Sequence, residues 1–160
     1  MKKHISLKSV IFSILFCLGI GGLSSFLTKK GIQTFSSLRH PHLSPPPIVF
    51  PIIWTILQIF LGIGFGRIIS IKTAEQTDHE RAISAFSVQN TFFFCWMIWF
   101  FGLGWYGFSA IWLIGMILSI IWTITAYTKI DQFAAWFQLP YLVWCLFALY
   151  LNIGVWVLNR

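Results

Sequence analysis

Residues 108–127 read Phe-Ser-Ala-Ile-Trp-Leu-Ile-Gly-Met-Ile-Leu-Ser-Ile-Ile-Trp-Thr-Ile-Thr-Ala-Tyr, with no charged side chain among them. At about 1.5 Å per residue, roughly 20 helical residues cross the ~30 Å hydrocarbon core of a bilayer. The run is rich in β-branched residues, but it does not alternate as a barrel strand would. In lipid the backbone must satisfy its own hydrogen bonds, so a helix is the reading. Four more runs have the same character: Val10 to Leu27, Ile48 to Ile71, Ala82 to Leu103 and Ala134 to Leu158. The fold class expected is all-α, a polytopic membrane protein with a five-transmembrane-helix bundle forming one domain over residues 1–160.

Composition agrees. Apolar types make up 58% of the 160 residues and aromatics 19%, while charged types reach only 9%. So few charges cannot coat a soluble globule of this size. The first run, preceded by Lys2, Lys3 and Lys8, also resembles a signal peptide. It is longer than the apolar region of such a peptide and no small-x-small cleavage site follows, so it is read as a span.

The net charge of +7 does not point to nucleic acid, because the cations sit at the ends of the apolar runs, where they meet headgroups. With the N-terminus inside, Lys2, Lys3, Lys8, Arg67, Lys72, Arg81 and Lys129 are inside and Lys29, Lys30, Arg39 and Arg160 outside. That bias favours N-in.

The usual catalytic inventory is nearly absent. Glu75, Asp78, Glu80 and Asp131 all lie outside the runs, so paired-carboxylate chemistry has no basis. No phosphate-cradling Gly-x-x-x-x-Gly-Lys occurs. His40 and His42 lack a third ligand, and Cys17, Cys95 and Cys145 are read as buried apolar side chains, so neither metal nor cofactor is expected.

What the runs carry instead is aromatic rings at helical spacing. Phe50, Trp54 and Gln58 share a face of the second run, and Gln89, Phe93, Trp96 and Phe100 share one of the third. Tyr141, Trp144, Ala148 and Leu151 do so in the fifth, with Asn152 beside them. Trp105, Trp136 and Trp156 fall at span ends, as interfacial Trp does. Trp54, Trp96 and Trp144 lie deeper, where such faces serve either helix packing or stacking on a flat hydrophobic ligand. The link from Thr28 to Ser44 carries Lys29, Lys30, Arg39, His40 and His42, and is a candidate lid.

Ser44-Pro45-Pro46-Pro47 precedes the second run. Ser44 suits an N-cap and Pro45 the first helical position, while Pro51 and Pro140 are expected to kink their helices. Gly21 with Ser25 and Gly62 with Gly66 form small-xxx-small pairs that allow close helix approach within the bundle or across a dimer.

Pro45-Pro46-x-x-Val49-Phe50-x-x-x-Trp54-Thr55-x-Leu57 resembles the second helix of the translocator protein family, TspO/MBR, the tryptophan-rich sensory proteins. Leu139-Pro140-Tyr141-x-x-Trp144-x-x-Phe147-Ala148-x-Tyr150-Leu151-Asn152 is similar to its fifth helix, and Gln89 with Trp96 and Phe100-Phe101 to its third. Leu43 stands where the family usually has Trp before the Pro pair, which places it in the lid; Phe93, Trp112 and Gln58 replace a usual Asn, Asp and Tyr. Ile153 and Val157 occupy positions of the family's sterol-recognition pattern, so sterol binding is not expected.

The resemblance implies a bundle, often a homodimer, that binds porphyrins such as protoporphyrin IX in a central pocket, in tetrapyrrole transport, sensing or regulation. Its alternative is light- and oxygen-dependent breakdown of protoporphyrin, with Trp54 and Trp144 as the electron-supplying catalytic residues. A third reading is a helix-packing assembly protein.

Overall fold

The structure is a computed structural model that describes residues 4–72 and 74–160. Lys2 and Lys3, counted above for orientation, lie outside the described residues. The chain forms α1 (Leu7–Leu27), α2 (Lys29–Phe35), α3 (Val49–Ser70), α4 (Gln76–Met97), α5 (Tyr106–Thr128), α6 (Gln132–Trp136) and α7 (Leu139–Leu158). A π-helical turn, Ile98–Gly102, extends α4, and there is no strand among the described residues. Five segments are long and apolar enough to cross a membrane: Leu7–Leu27, Val49–Ser70, Gln76–Gly102, Tyr106–Thr128 and Gln132–Leu158, the last joining α6 to α7.

These pack as a ring. α1 lies along α3, α4 is antiparallel to α5 across the turn at Gly104 (φ 67°), and α5 packs on α7. α3 meets α6 and α7, and α4 closes on α1. The α1–α3 crossing is set by glycine: a Cβ on Gly62 would overlap the backbone of Ile14, and one on Gly66 would stand 2.5 Å from Val10 Cα. The Gly62/Gly66 pair is thus used within the chain. The core runs through Leu61, Phe86, Leu113, Met116, Tyr127 and Tyr141, all at most 2% exposed.

The two ends of the bundle differ in charge. All four carboxylates lie where α1 begins and α3 ends; there Arg67 Nε donates to Asp131 Oδ2 at 2.6 Å, and Lys129 Nζ stands 3.9 Å from Asp78. The opposite end carries Lys29, Lys30, Arg39 and Arg160 and no Asp or Glu among the described residues. Asp131 also accepts from the Ala134 amide, capping α6.

The proline expectations need correction. Ser44 is not an N-cap and Pro45 is not the first helical residue: α3 starts at Val49, whose amide donates to Pro46 O at 2.9 Å. Each proline disfavours the α conformation of the residue before it, so Ser44, Pro45 and Pro46 are all held out of the helix. Pro51 is therefore the third helical residue, where an absent N–H removes no ladder bond and imposes no kink. Pro140 is the second residue of α7 and follows a break at Phe137–Gln138, so the fifth span is interrupted and restarted there. The link from Thr28 to Ser44 is also less open than a loop, since it contains α2.

Candidate ligand-binding site

Trp54 is the hub of the aromatic faces. Its ring lies 5.2 Å from Phe93, 5.8 Å from Trp96, 6.0 Å from Tyr141 and 6.2 Å from Trp144, centroid to centroid. Helical spacing on α3, α4 and α7 brings these rings to one level of the bundle. Trp96 is fixed by its indole N–H, which donates to Asn152 Oδ1 at 3.0 Å. Asn152 is 1% exposed; its Oδ1 also accepts from Ser109 Oγ and its amide donates to Tyr106 O at 2.7 Å. It ties α7 to α4 and α5 rather than waiting for a ligand. The Trp144 indole N–H is buried and unpaired.

The sequence-selected residues divide around this hub. Phe50, Trp54, Trp96, Phe100, Trp144, Ala148, Leu151 and Asn152 border a crevice of only about 20 Å³. That is room for no more than about one water-sized probe of 10–15 Å³, far too little for an organic ligand. The room lies on the other side of Phe50 and Trp54, in a cavity of about 480 Å³ between α1 and α3 that Phe93, Met97 and Phe101 back. Small-molecule sites run from roughly 300 to 1,000 Å³. Gln89 and Tyr141 line neither space: Gln89 donates to Gln138 Oε1 at 3.1 Å, and the Tyr141 hydroxyl donates to Met116 Sδ at 3.5 Å.

Several cavity residues were not assigned to a ligand site from the sequence. Leu18, Gly21, Gly22 and Ser25 form its α1 wall and Gln58 its floor. The Gly21/Ser25 spacing was legible, but it reads equally as a packing pair. Gln58 is 2% exposed, with both amide atoms unpaired and the side chain flat against Gly21. Of the other departures from the family pattern, Trp112 faces away from the cavity and donates to Phe92 O at 2.9 Å.

The lid is docked. α2 sits on the π-helical turn, so close that a Cβ on Gly31 would overlap the Phe101 carbonyl. Phe35 plugs the α7 side, with its ring 4.6 Å from His40, 5.5 Å from Phe50 and 5.7 Å from Phe100. The Arg39 amide donates to Asn159 Oδ1 at 2.9 Å, and Asn159 Nδ2 donates to Arg39 O at 2.8 Å. Next to it Pro41 fills the space above Gly154, and the Tyr150 hydroxyl donates to His42 O at 2.5 Å. Leu43 turns through φ 68° and leaves its side chain 81% exposed. Among the described residues no three metal-ligating side chains come together.

The profile of the TspO/MBR family matches residues 13–157. A tryptophan-rich protein TspO of Archaeoglobus fulgidus is 33% identical over 151 residues, 94% of this chain and 96% of that one. Its namesake from Chlorobaculum tepidum is 26% identical over 99% of both chains, and protein CrtK of Rhodobacter capsulatus 28% identical over 78% of both.

Proposed function

Since the chain belongs to the TspO/MBR family and is an integral, multi-pass membrane protein, we propose that it binds a flat, porphyrin-like ligand such as protoporphyrin IX. The ligand lies in the cavity between α1 and α3, and the protein serves tetrapyrrole sensing or transport. The observation that carries this reading is the about 480 Å³ apolar cavity with Phe50, Trp54 and Phe93 in its wall. A macrocycle stacks on such rings and needs few hydrogen bonds. Titration with protoporphyrin should quench tryptophan fluorescence saturably at micromolar ligand. Folded protein that shows no quenching would end the reading.

A porphyrin's propionates need cations at the rim, and the lid end supplies Lys29, Lys30 and Arg39 with no competing Asp or Glu among the described residues. Replacing these three with Ala should weaken the free acid about tenfold, the worth of ~1.4 kcal/mol of lost charge pairing, and leave the dimethyl ester nearly unchanged. Equal losses for acid and ester would assign the cations to headgroups instead.

The catalytic alternative rests on one contact: the Trp54 and Trp144 rings stand 6.2 Å apart, edge to face. In that reading Trp54, with Trp144 sharing the hole, lends an electron to the photoexcited porphyrin and dioxygen adds at a methine carbon of the reduced ring. The electron returns to the indole pair as the second C–O bond closes, and the O–O and C–C bonds then break to leave two carbonyls that keep both oxygen atoms. Under illumination the porphyrin absorbance should decay in the parent protein and persist in Trp54→Phe/Trp144→Phe. Equal decay in both leaves binding without enzymology.

A further inference from the structure

The cavity between α1 and α3 has a buried back and an exposed front. Phe93, Met97 and Gln58 at its back are buried, while Gly22, Ser25, Pro51 and Thr55 at its front are exposed. These front residues are not at the aqueous end of the bundle. Gly22 lies five residues inside the end of α1, and Thr55 six residues beyond the start of α3. At about 1.5 Å per residue both sit some 7–9 Å below the helix ends, in the depth range of acyl chains. Above the cavity, Ile32 of the docked lid and Pro47, just ahead of α3, form a roof.

The opening also has a structural cause. α1 and α3 are drawn together at one end by Gly62 and Gly66. At the other end the prolines delay the start of α3 and nothing bulky on α1 fills the gap: a Cβ on Gly22 would meet no atom within 4 Å. The gap is sideways, into lipid.

We propose that this cleft is a lateral portal, through which an uncharged, planar hydrophobe already dissolved in the bilayer reaches the Trp54 wall without crossing the lid. The proposal rests on the ligand-binding reading above. An apolar rim suits such a solute, because a molecule partitioned into acyl chains need not be rehydrated on its way in. The Asn159–Arg39 clamp then serves to keep the aqueous route closed.

The test uses the full chain in phosphatidylcholine vesicles and protoporphyrin dimethyl ester as probe, with tryptophan quenching followed in a stopped-flow instrument. Gly22→Phe places a ring in the cleft; Gly19→Phe, on the same helix, away from the cavity and equally free of neighbours within 4 Å, is the control. Asn159→Ala releases the lid. Gly22→Phe should slow association and dissociation alike by about tenfold, a barrier raised by about 1.4 kcal/mol, with Gly19→Phe and Asn159→Ala at parent rates. Three results overturn the portal: unchanged rates in Gly22→Phe, a loss confined to faster dissociation, or faster association in Asn159→Ala. An unquenched parent protein would instead remove the ligand-binding reading on which the portal depends.

Discussion

Asp131→Ala should lower stability by about 3 kcal/mol, since removing one partner strands the other charge in a poorly hydrated place. Asp131 is 2% exposed and holds Arg67 Nε at 2.6 Å while capping α6. The full penalty for breaking a buried pair is about 3–5 kcal/mol, and the lower end applies because the Arg67 side chain keeps 23% of its exposure. In detergent this corresponds to a fall in Tm of roughly 6–12 °C. Asp131→Asn keeps a cap acceptor and should lose less. The molecule holds its own control: Asp78 and Lys129 are 3.9 Å apart and both solvent-accessible, so Asp78→Ala should cost at most about 1 kcal/mol. Equal melting of Asp131→Ala and Asp78→Ala would show that the buried pair does not hold α6 to α3.

The second large effect is expected at the α1–α3 crossing. Gly62→Ala puts a methyl onto the Ile14 backbone, where the neighbour is main chain and cannot rotate away. Overpacking of this kind costs about 1–3 kcal/mol, and Gly62→Leu should exceed that by prising the helices apart. Gly19→Leu and Gly22→Leu meet open space and should melt with the parent. Native mass measurement should give Gly62→Ala the parent's oligomeric state, because this face is used within the chain. A changed mass would move Gly62 to an interface between copies.

Span number and helix type were legible because they rest on the strongest term available, the transfer of about 20 apolar residues into hydrocarbon. The start of α3 was not. Ser44 has N-cap chemistry, but three prolines in a row act on the residues before them, and that steric effect outweighs the capping preference. The aromatic faces were likewise readable as faces: Trp54, Trp96 and Trp144 do converge. Which side of Trp54 holds empty space was not readable. That depends on how far apart α1 and α3 stand, a distance set by glycines whose spacing alone does not distinguish a contact from a gap. Gly62 and Gly66 make contact, while Gly21, at the same kind of spacing from Ser25, borders the cavity. Asn152 follows the same logic, since its partners Ser109 and Tyr106 come from α5, which no pattern within α7 specifies.

The dock for residues 39–42 grips main chain: Asn159 pairs with the N–H and C=O of Arg39, and Tyr150 with the C=O of His42. Beyond that, only the Pro41 ring over Gly154 and the His40 ring against Phe35 hold it; the Arg39 and His42 side chains take no part. Arg39 and His42 are therefore free to drift by mutation while closure persists. Selection can retune what the mouth of the molecule attracts, one surface residue at a time, without reopening the question of whether the lid stays down.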